Sequence, residues 1–262
     1  MKAKSQAVLP NALAPEETEP LYRQAKRELQ KLIEARHYGP SETLPSEASL
    51  ASALGISIGT LRHAVDELVH EHVLIRRQGK GTFVAPHNPA RFLFQFFHVE
   101  PRWTFGDEVL DRRDEYPSIE CIHFEKAVPT EEEAMALRIK ASDFVFRIEN
   151  RLLLQDQVVM HDQLVLSVTL FRQLTEKRFI ERPNTIYGLY QTDFGITVLR
   201  AQERARAVSA NRNSARVLGV PLGAPVMEVH RLALSFEDRP VEYRVSTINT
   251  RHHDYVNTLA KK

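Results

Sequence analysis

Cysteine is almost missing: Cys121 is the single one in 262 residues. One thiol excludes an internal disulfide and any site built from several thiolates, and it fits a reducing compartment, so a cytoplasmic protein is expected. Long apolar runs are missing as well. None approaches the roughly 18 residues that a membrane span requires, and no membrane partner is expected. The opening stretch "MKAKSQAVLPNALAPEETEP" has Lys2 and Lys4 but no apolar core. It reads as a flexible tail over residues 1–19, not as a secretory leader. An excess of one charge is also absent. Lys and Arg total 35 against 34 Asp and Glu, a formal net charge of +1, which neither demands nor forbids a polyanionic partner. Finally, the chain lacks an HExxH pair, a Walker loop, a nucleophile elbow and a dinucleotide fingerprint. Its eleven histidines show no ligand spacing, and the adjacent His252 and His253 suit one metal poorly. No metal and no cofactor are expected. Cys121, in the strand-like "IECIHF", reads as buried filler.

What is present begins with three helical patterns. Leu21, Ala25, Leu29, Leu32 and Ile33 recur at helical spacing, with Arg23, Lys26, Arg27 and Lys31 on other faces. That helix is expected to stop near "HYGP", with Gly39 in a left-handed cap. In "LPSEASLASALGISIGTLRHAV" (residues 44–65), Ser46 reads as an N-cap with Glu47 in the first turn, and Gly55 as the stop. Ser57 caps a third helix whose Leu61, Ala64, Val65 and Leu68 form an apolar stripe. About four residues separate the second and third helices, as in a helix-turn-helix whose second member enters the major groove. "HVLIRRQGKGTFVAP" follows: Val73, Ile75 and Thr82–Val84 favour strands around a glycine turn ringed by Arg76, Arg77 and Lys80. This is a basic two-stranded wing. Backbone amides near Gly79 and Gly81, with Lys80, suit phosphates or a minor groove.

Together, "PLYRQAKRELQKLIEARHY" and "LPSEASLASALGISIGTLRHAVDELVHEHVLIRRQGKGTFVA" resemble the N-terminal winged helix of GntR-type bacterial transcription regulators. The resemblance implies a double-stranded DNA operator as partner. It implies DNA contacts from Ser46, Ser57, Thr60, Arg62, His63, Arg77, Gln78, Gly79, Lys80, Gly81 and Thr82. Arg62 could donate a bidentate pair to a guanine edge, and Thr60 could reach a phosphate. Two positions depart from the family pattern. Ala48 stands where a polar residue or arginine usually follows "LPSE", and Ile58 stands where an arginine usually opens the recognition helix. The family's usual operator is therefore not expected to carry over.

Residues 87–93 read as a linker between this winged helix (20–86) and a second domain (94–262). The second domain alternates strand and helix signals. Thr130 opens "TEEEAMAL", and Glu133 completes a capping box. "FVFRIENRLLLQDQVVMHDQLVL" gives two alternating strands turning at Gln155–Asp156–Gln157. "NTIYGLYQTDFGI" is a capped helix ending at Gly195. "APVMEVHRLALSFEDRPVEYRVSTI" is a hairpin turning at Glu237–Pro240. Consecutive hairpins imply an α+β domain, a mainly antiparallel sheet packed by helices. Alternation puts Arg147, Glu149 and Arg151 on one face of their strand, and Glu242, Arg244 and Ser246 on one face of theirs. Such polar rows either meet solvent or line a cavity.

"IYGLYQTDFGI", "LGVPLGAPVMEVHRLALSFEDRPVEYRVS" and the terminal "RHHDYV" resemble the UTRA effector-binding domain of the HutC branch of the GntR family, which has a chorismate-lyase-like fold. The resemblance implies an effector site. It places Arg151 at an anion-binding position and Asp162 and Glu242 at positions that accept hydroxyl hydrogen bonds. Thr185 and Tyr187 fall at a helix start that meets an anionic group, with Arg147 and Arg244 nearby. A free helix N-terminus and an arginine fork both favour anions, so a small anionic metabolite is the expected effector. Leu153, where a second arginine often stands, and Ile248, where an aromatic is frequent, weaken a phosphosugar assignment, so a carboxylate or amine-bearing metabolite is weighed at least equally with a sugar phosphate. The expected function is a ligand-responsive regulator, a homodimer on a palindromic operator, released from DNA by its effector. The alternative is a chorismate-lyase-like enzyme in the second domain.

Overall fold

The computed structural model describes residues 8–13, 19–86, 99–102, 117–182 and 185–256. Residues 87–93, expected as linker, lie outside the described residues, as does much of the expected tail. The chain divides into two compact units. One comprises Met1–Asn88 with Tyr187–Leu199, the other Pro89–Ile186 with Arg200–Lys262.

The first unit holds helices α1 (Leu21–Glu34), α2 (Glu47–Leu54) and α3 (Ile58–His70), then strands β1 (Leu74–Arg77) and β2 (Gly81–Val84). α1 packs on α3 through Ala25, Leu29, Leu61, Ala64 and Leu68, all fully buried. Each buried leucine contributes about 1.5–3 kcal/mol relative to an exposed one. α1 ends earlier than its glycine suggested. Arg36, at φ 60°, takes the left-handed position, while the Arg36 and His37 amides close on the Ile33 and Leu32 carbonyls. That is a Schellman stop; Gly39 is not the cap. α2 ends at Gly55 with φ 70°. β1 and β2 pair antiparallel from Leu74↔Val84 to Arg77↔Gly81. Backbone bonds from Ser41 and Leu44 to Val84 and Thr82 extend the hairpin on its other side. The unit also includes helix α6 (Ile186–Phe194) from Tyr187 onward, whose Gln191 amide donates to the Ala85 carbonyl at 3.0 Å.

The second unit is built on a six-stranded antiparallel sheet, ordered β4-β5-β6-β9-β8-β7. Its strands are β4 (Ser118–Ala127), β5 (Val145–Leu154), β6 (Gln157–Ser167), β7 (Arg200–Ser209), β8 (Pro225–Leu234) and β9 (Pro240–Ile248). Helices α4 (Glu131–Leu137) and α7 (Arg212–Leu218) pack on one face. On the other, Val99 of the short strand β3 (Val99–Pro101) joins a core of Leu152, Leu154, Val159, Met160, Val229 and Ile248. β3 pairs with β10 (His253–Tyr255). Helix α5 (Glu176–Ile180) meets β4, with Phe179 near Phe124.

One register detail decides which side chains share a face. β5 and β6 turn through Gln155 and Asp156, both at positive φ (49° and 59°), a two-residue hairpin made without glycine. The ladder then slips: Leu153 faces Val158, but Leu152 faces Met160. Val159 is the extra, bulged residue. Beyond it Asn150 opposes Asp162 and Arg151 opposes His161. An unbulged hairpin would set Asp162 opposite Glu149. Because side chains alternate with period two, one inserted residue moves Asp162 to the opposite face from Glu149 and Arg151.

Candidate functional site

The first candidate surface is the exposed edge of α2, α3 and the hairpin. Ser46 caps α2 by accepting the Ser49 amide at 3.1 Å, and Ser57 caps α3 by accepting the Thr60 amide at 3.1 Å. The two cap hydroxyls also pair with those of Ser49 and Thr60, each at 2.8 Å. Both helix N-termini are thereby fixed at the surface. Ile58, 44 % exposed, and Ala48 are exposed beside them. Arg62 projects one turn further along α3, and its Nε donates to Glu47 Oε2 at 2.7 Å. Arg76 reaches the same carboxylate at 3.2 Å and pairs with Asp66. Glu47 thus holds two arginines at the edge where a nucleic acid would compete for them. His63 is placed differently. It stacks on Tyr22 of α1, ring centroids 4.0 Å apart and nearly parallel, so its ring is engaged in packing α3 to α1. In the hairpin, Gln78, Gly79 and Lys80 form an exposed three-residue loop, with Gly79 at φ 69° and the Lys80 amide closing on the Arg77 carbonyl. Arg77 lies over the Phe83 ring, 4.8 Å from its centroid. Gly81 is exposed and Thr82 half-buried beside this loop.

The second candidate lies on the sheet. Asp162 (β6), Glu242, Arg244 and Ser246 (all β9) form a buried polar row, none more than 7 % exposed. Arg244 forks onto Glu242 at 2.9 and 3.0 Å and reaches Asp162 Oδ2 at 3.1 Å. Ser246 donates to Asp162 Oδ1 at 2.5 Å. Two carboxylates face one guanidinium. Arg231 (β8), which opposes Arg244, donates to Glu203 (β7), and Tyr255 donates to the same carboxylate.

The expected arginine clamp does not join this row. Arg147 and Arg151 sit on the helix-bearing face, for the register reason above. Arg147 forks between Glu133 of α4 (2.9 and 3.2 Å) and Glu125 (2.8 Å). Arg151 is 43 % exposed and paired with Glu120 at 2.5 Å. The sequence-based grouping of Arg151 with Asp162 and Glu242 is therefore corrected. Thr185 precedes α6, and Tyr187 lies in its first turn, buried with its ring 5.5 Å from that of Tyr190. These two residues flank the division between the units.

Asn150 and His161 were missed by the sequence reading, and Glu149 was given no role beyond its place in a polar row. Asn150 directly opposes Asp162 and is fully buried, yet neither its Oδ1 nor its Nδ2 has a hydrogen-bond partner. On the helix face, Glu149 accepts from His161 at 2.9 Å and from Asn213 at 3.0 Å. Burial alone would raise the Glu149 pKa, but the bonds from Asn213 and His161 outweigh it and hold the carboxyl below its usual range. His161 Nδ1 lies 3.4 Å from the Ser214 hydroxyl, itself 3.3 Å from Thr247. A parity count along β5 could have found Asn150 only if the bulge had been legible. Cys121 is half-buried, and burial pushes its thiol above the usual range. Among the described residues no group of His, Cys, Asp or Glu could hold a metal, and no helix is long and apolar enough to cross a membrane.

The family model described as UTRA domain matches residues 112–254, and that of bacterial regulatory proteins, gntR family, matches residues 21–84. The HTH-type transcriptional repressor NagR of Bacillus subtilis is 26 % identical over 240 residues, 92 % of this chain and 95 % of that protein. The histidine utilization repressor of Pseudomonas aeruginosa is 32 % identical over 127 residues, 48 % of each chain. Among solved structures, a ligand-binding domain from Bordetella bronchiseptica, assigned to the GntR family of transcriptional regulators, superposes with a TM-score of 0.58 at 29 % identity. That match spans 64 % of this chain and 99 % of the other. These are regulators, not enzymes, and the lyase alternative is set aside.

Proposed function

The chain belongs to the GntR family of bacterial transcription regulators, in the HutC branch that carries a UTRA domain, and on that premise we propose how it works as a metabolite-responsive repressor. Residues 20–86 form the DNA-reading head and 94–262 the effector and dimerisation domain, joined by 87–93. Two copies bind a palindromic operator in the bacterial cytoplasm, because one winged helix reads only a short half-site and two-fold dimers match palindromes. Arg62 reads a base edge. Thr60, Lys80 and the Gly79–Gly81 backbone contact phosphates. Ile58 and Ala48 offer apolar contact, for instance to thymine methyls, where relatives of the expected pattern offer charge.

The effector occupies the face of the sheet that bears Asp162, Glu242 and Arg244. A regulator of this kind needs one arrangement of the heads to be favoured by the ligand, with coupling of about 1–3 kcal/mol, or 5–150-fold in operator affinity. The single observation that carries the reading is the Arg62–Glu47 edge: a recognition helix with its arginine exposed beside a basic hairpin loop, in one chain with a sheet that buries a charged row. The test selects operator DNA from a random pool and measures binding by fluorescence anisotropy and mass in solution by ultracentrifugation. A dimer on a symmetric site, released by a metabolite from the host's extract, is expected. A protein that stays monomeric on its best site, or that binds random DNA equally well, overturns the proposal. Asp162→Asn and Glu242→Gln should lose the metabolite response while still binding operator. An unchanged response in both places the effector elsewhere.

A further inference from the structure

The sheet face that carries the buried row holds one polar side chain that the protein leaves unused. Asn150 is 0 % exposed, and both ends of its amide lack a partner. Leaving a buried amide unpaired is costly, so in a ligand-free fold Leu would be the better residue there. Its neighbours Ile148, Leu152 and Leu154 on the same face of β5 are buried and apolar. Asp162 stands directly opposite Asn150 in register but does not bond to it. The Asp162 carboxylate is drawn across to β9, one oxygen accepting from Ser246 and the other from Arg244. The amide therefore faces the row with a donor and an acceptor side by side. The charge of the row is equally telling. Arg244 is committed to two carboxylates, and Arg231 to Glu203. Among the described residues of this row, carboxylates outnumber guanidinium groups, and the arginines that could have reversed the balance, Arg147 and Arg151, are on the other face.

Resting on the effector-face reading above, we propose that Asn150 is the specificity-determining contact of that site, and that its ligand presents an amide-type edge: an amide, urea or lactam. The ligand carries no phosphate. The amide of Asn150 pairs with such an edge through two hydrogen bonds, donor to acceptor and acceptor to donor. Among the described residues the site's charge is already negative and each guanidinium there is bonded to a carboxylate, so burying a dianionic phosphate beside them is costly. A site built to hydrogen-bond its ligand also rejects analogues that lack the matching edge, because its own buried groups are then left unpaired.

The experiment uses the full chain and two probes, 2-pyrrolidinone and methyl phosphate, at millimolar concentration, with binding read by saturation-transfer NMR. Asn150→Leu, Asn150→Ala, Asp162→Asn and Glu242→Gln are compared with wild type, and each protein's melting temperature is recorded. Transfer to 2-pyrrolidinone is expected in wild type and should fall several-fold in both Asn150 variants. Transfer to methyl phosphate should be the same in all five proteins. Asn150→Leu should melt higher than wild type without probe, an effect opposite to that of replacing a structural asparagine. Transfer to 2-pyrrolidinone that survives in Asn150→Leu and Asn150→Ala, or a lower melting temperature for Asn150→Leu, overturns the role of Asn150. Methyl phosphate transfer that the Asn150, Asp162 and Glu242 variants abolish overturns the ligand class and keeps the site. If none of the four substitutions alters either probe, the effector-face reading itself falls.

Discussion

The surface arginines Arg62 and Arg76 of the first unit and the buried Arg244 of the second are held in opposite ways. In the first, the side chains of Arg62 and Arg76 are 64 % and 42 % exposed and share the carboxylate of Glu47 at the surface. In the second, Arg244 is 5 % exposed in its side chain and locked between Asp162 and Glu242. Exposed pairs are worth about 0–1 kcal/mol and exchange partners readily. A buried group of this kind is fixed, because removing one member strands the charge of the others. The surface arginines are thus available to a polyanion, whereas the buried one shapes a site. Burial decides what each of these arginines can do.

The largest effect that would break this comparison is on Arg244. Arg244→Met should destabilise the second unit by about 3–5 kcal/mol, because two buried carboxylates lose their counter-charge. Arg62→Met should leave stability within about 0.5 kcal/mol, as surface substitutions usually do. Urea unfolding of both variants, followed by a probe in each unit, measures the contrast. Equal stability losses would mean that the buried row is not the electrostatic unit its geometry indicates.

Next in size is the split between reading and adhesion at the DNA-binding edge. Arg62→Ala should cost about 1–3 kcal/mol on the selected operator and relax preference at one base pair. Lys80→Ala should weaken all sequences alike and reduce the slope of log K against log salt by about 1. Anisotropy titrations on operator and scrambled DNA at several salt concentrations separate the two. Equal losses for Arg62→Ala on both DNAs would reduce Arg62 to a positioning contact.

What the sequence discloses differs between the units for a physical reason. In the first unit, local signals decide structure. Ser46, Ser57 and Gly55 act within one turn of themselves, and the stripe Leu61, Ala64, Val65, Leu68 repeats at 3.6 residues, so caps, stops and buried face were legible. The exception is the end of α1, where Arg36 accepts a left-handed conformation that glycine usually takes. In the second unit the hairpins and the Thr130–Glu133 capping box were legible on the same grounds. Which residues share a sheet face was not. That depends on a single inserted residue, Val159, and nothing in "QVVMHDQ" marks it, since Val158, Val159 and Met160 are all apolar. The resemblance carried Arg151 to an anion-binding position without reporting its face. His63 shows the same limit on a helix. Periodicity exposes it, but the stacking on Tyr22 comes from α1.

A smaller effect sharpens the local side of the comparison. Ser57→Ala removes the acceptor for the Thr60 amide and should cost the first unit about 1 kcal/mol. Ser57→Gly should cost only a few tenths, since glycine tolerates the cap conformation. Thermal melts of the two variants distinguish the cap from a simple loss of side chain. A Ser57→Gly loss as large as that of Ser57→Ala would point to the Ser57–Thr60 hydroxyl pair instead.

The smallest expected effect is a pH dependence on the helix face of the sheet. Glu149 is held below the usual carboxylate range. Burial pushes it up, but the Asn213 amide and the His161 ring, both bonded to its Oε2, pull it further down. A carboxyl lowered in the folded state binds fewer protons than in the unfolded chain across the interval between the two pKa values. Its contribution to stability is therefore complete above the ordinary glutamate value, about 4.3, and is lost as pH falls through the lowered one. Glu149→Gln keeps the shape and can still accept from His161, but it cannot titrate. Unfolding free energies of wild type and Glu149→Gln, measured by urea from neutral pH down into the acid range, should differ most above the ordinary value. The difference should shrink as the pH falls below it. The other carboxylates titrate in both proteins, so the difference between the two curves isolates Glu149. Parallel curves would mean that the bonds from Asn213 and His161 do no more than offset the burial of the carboxyl.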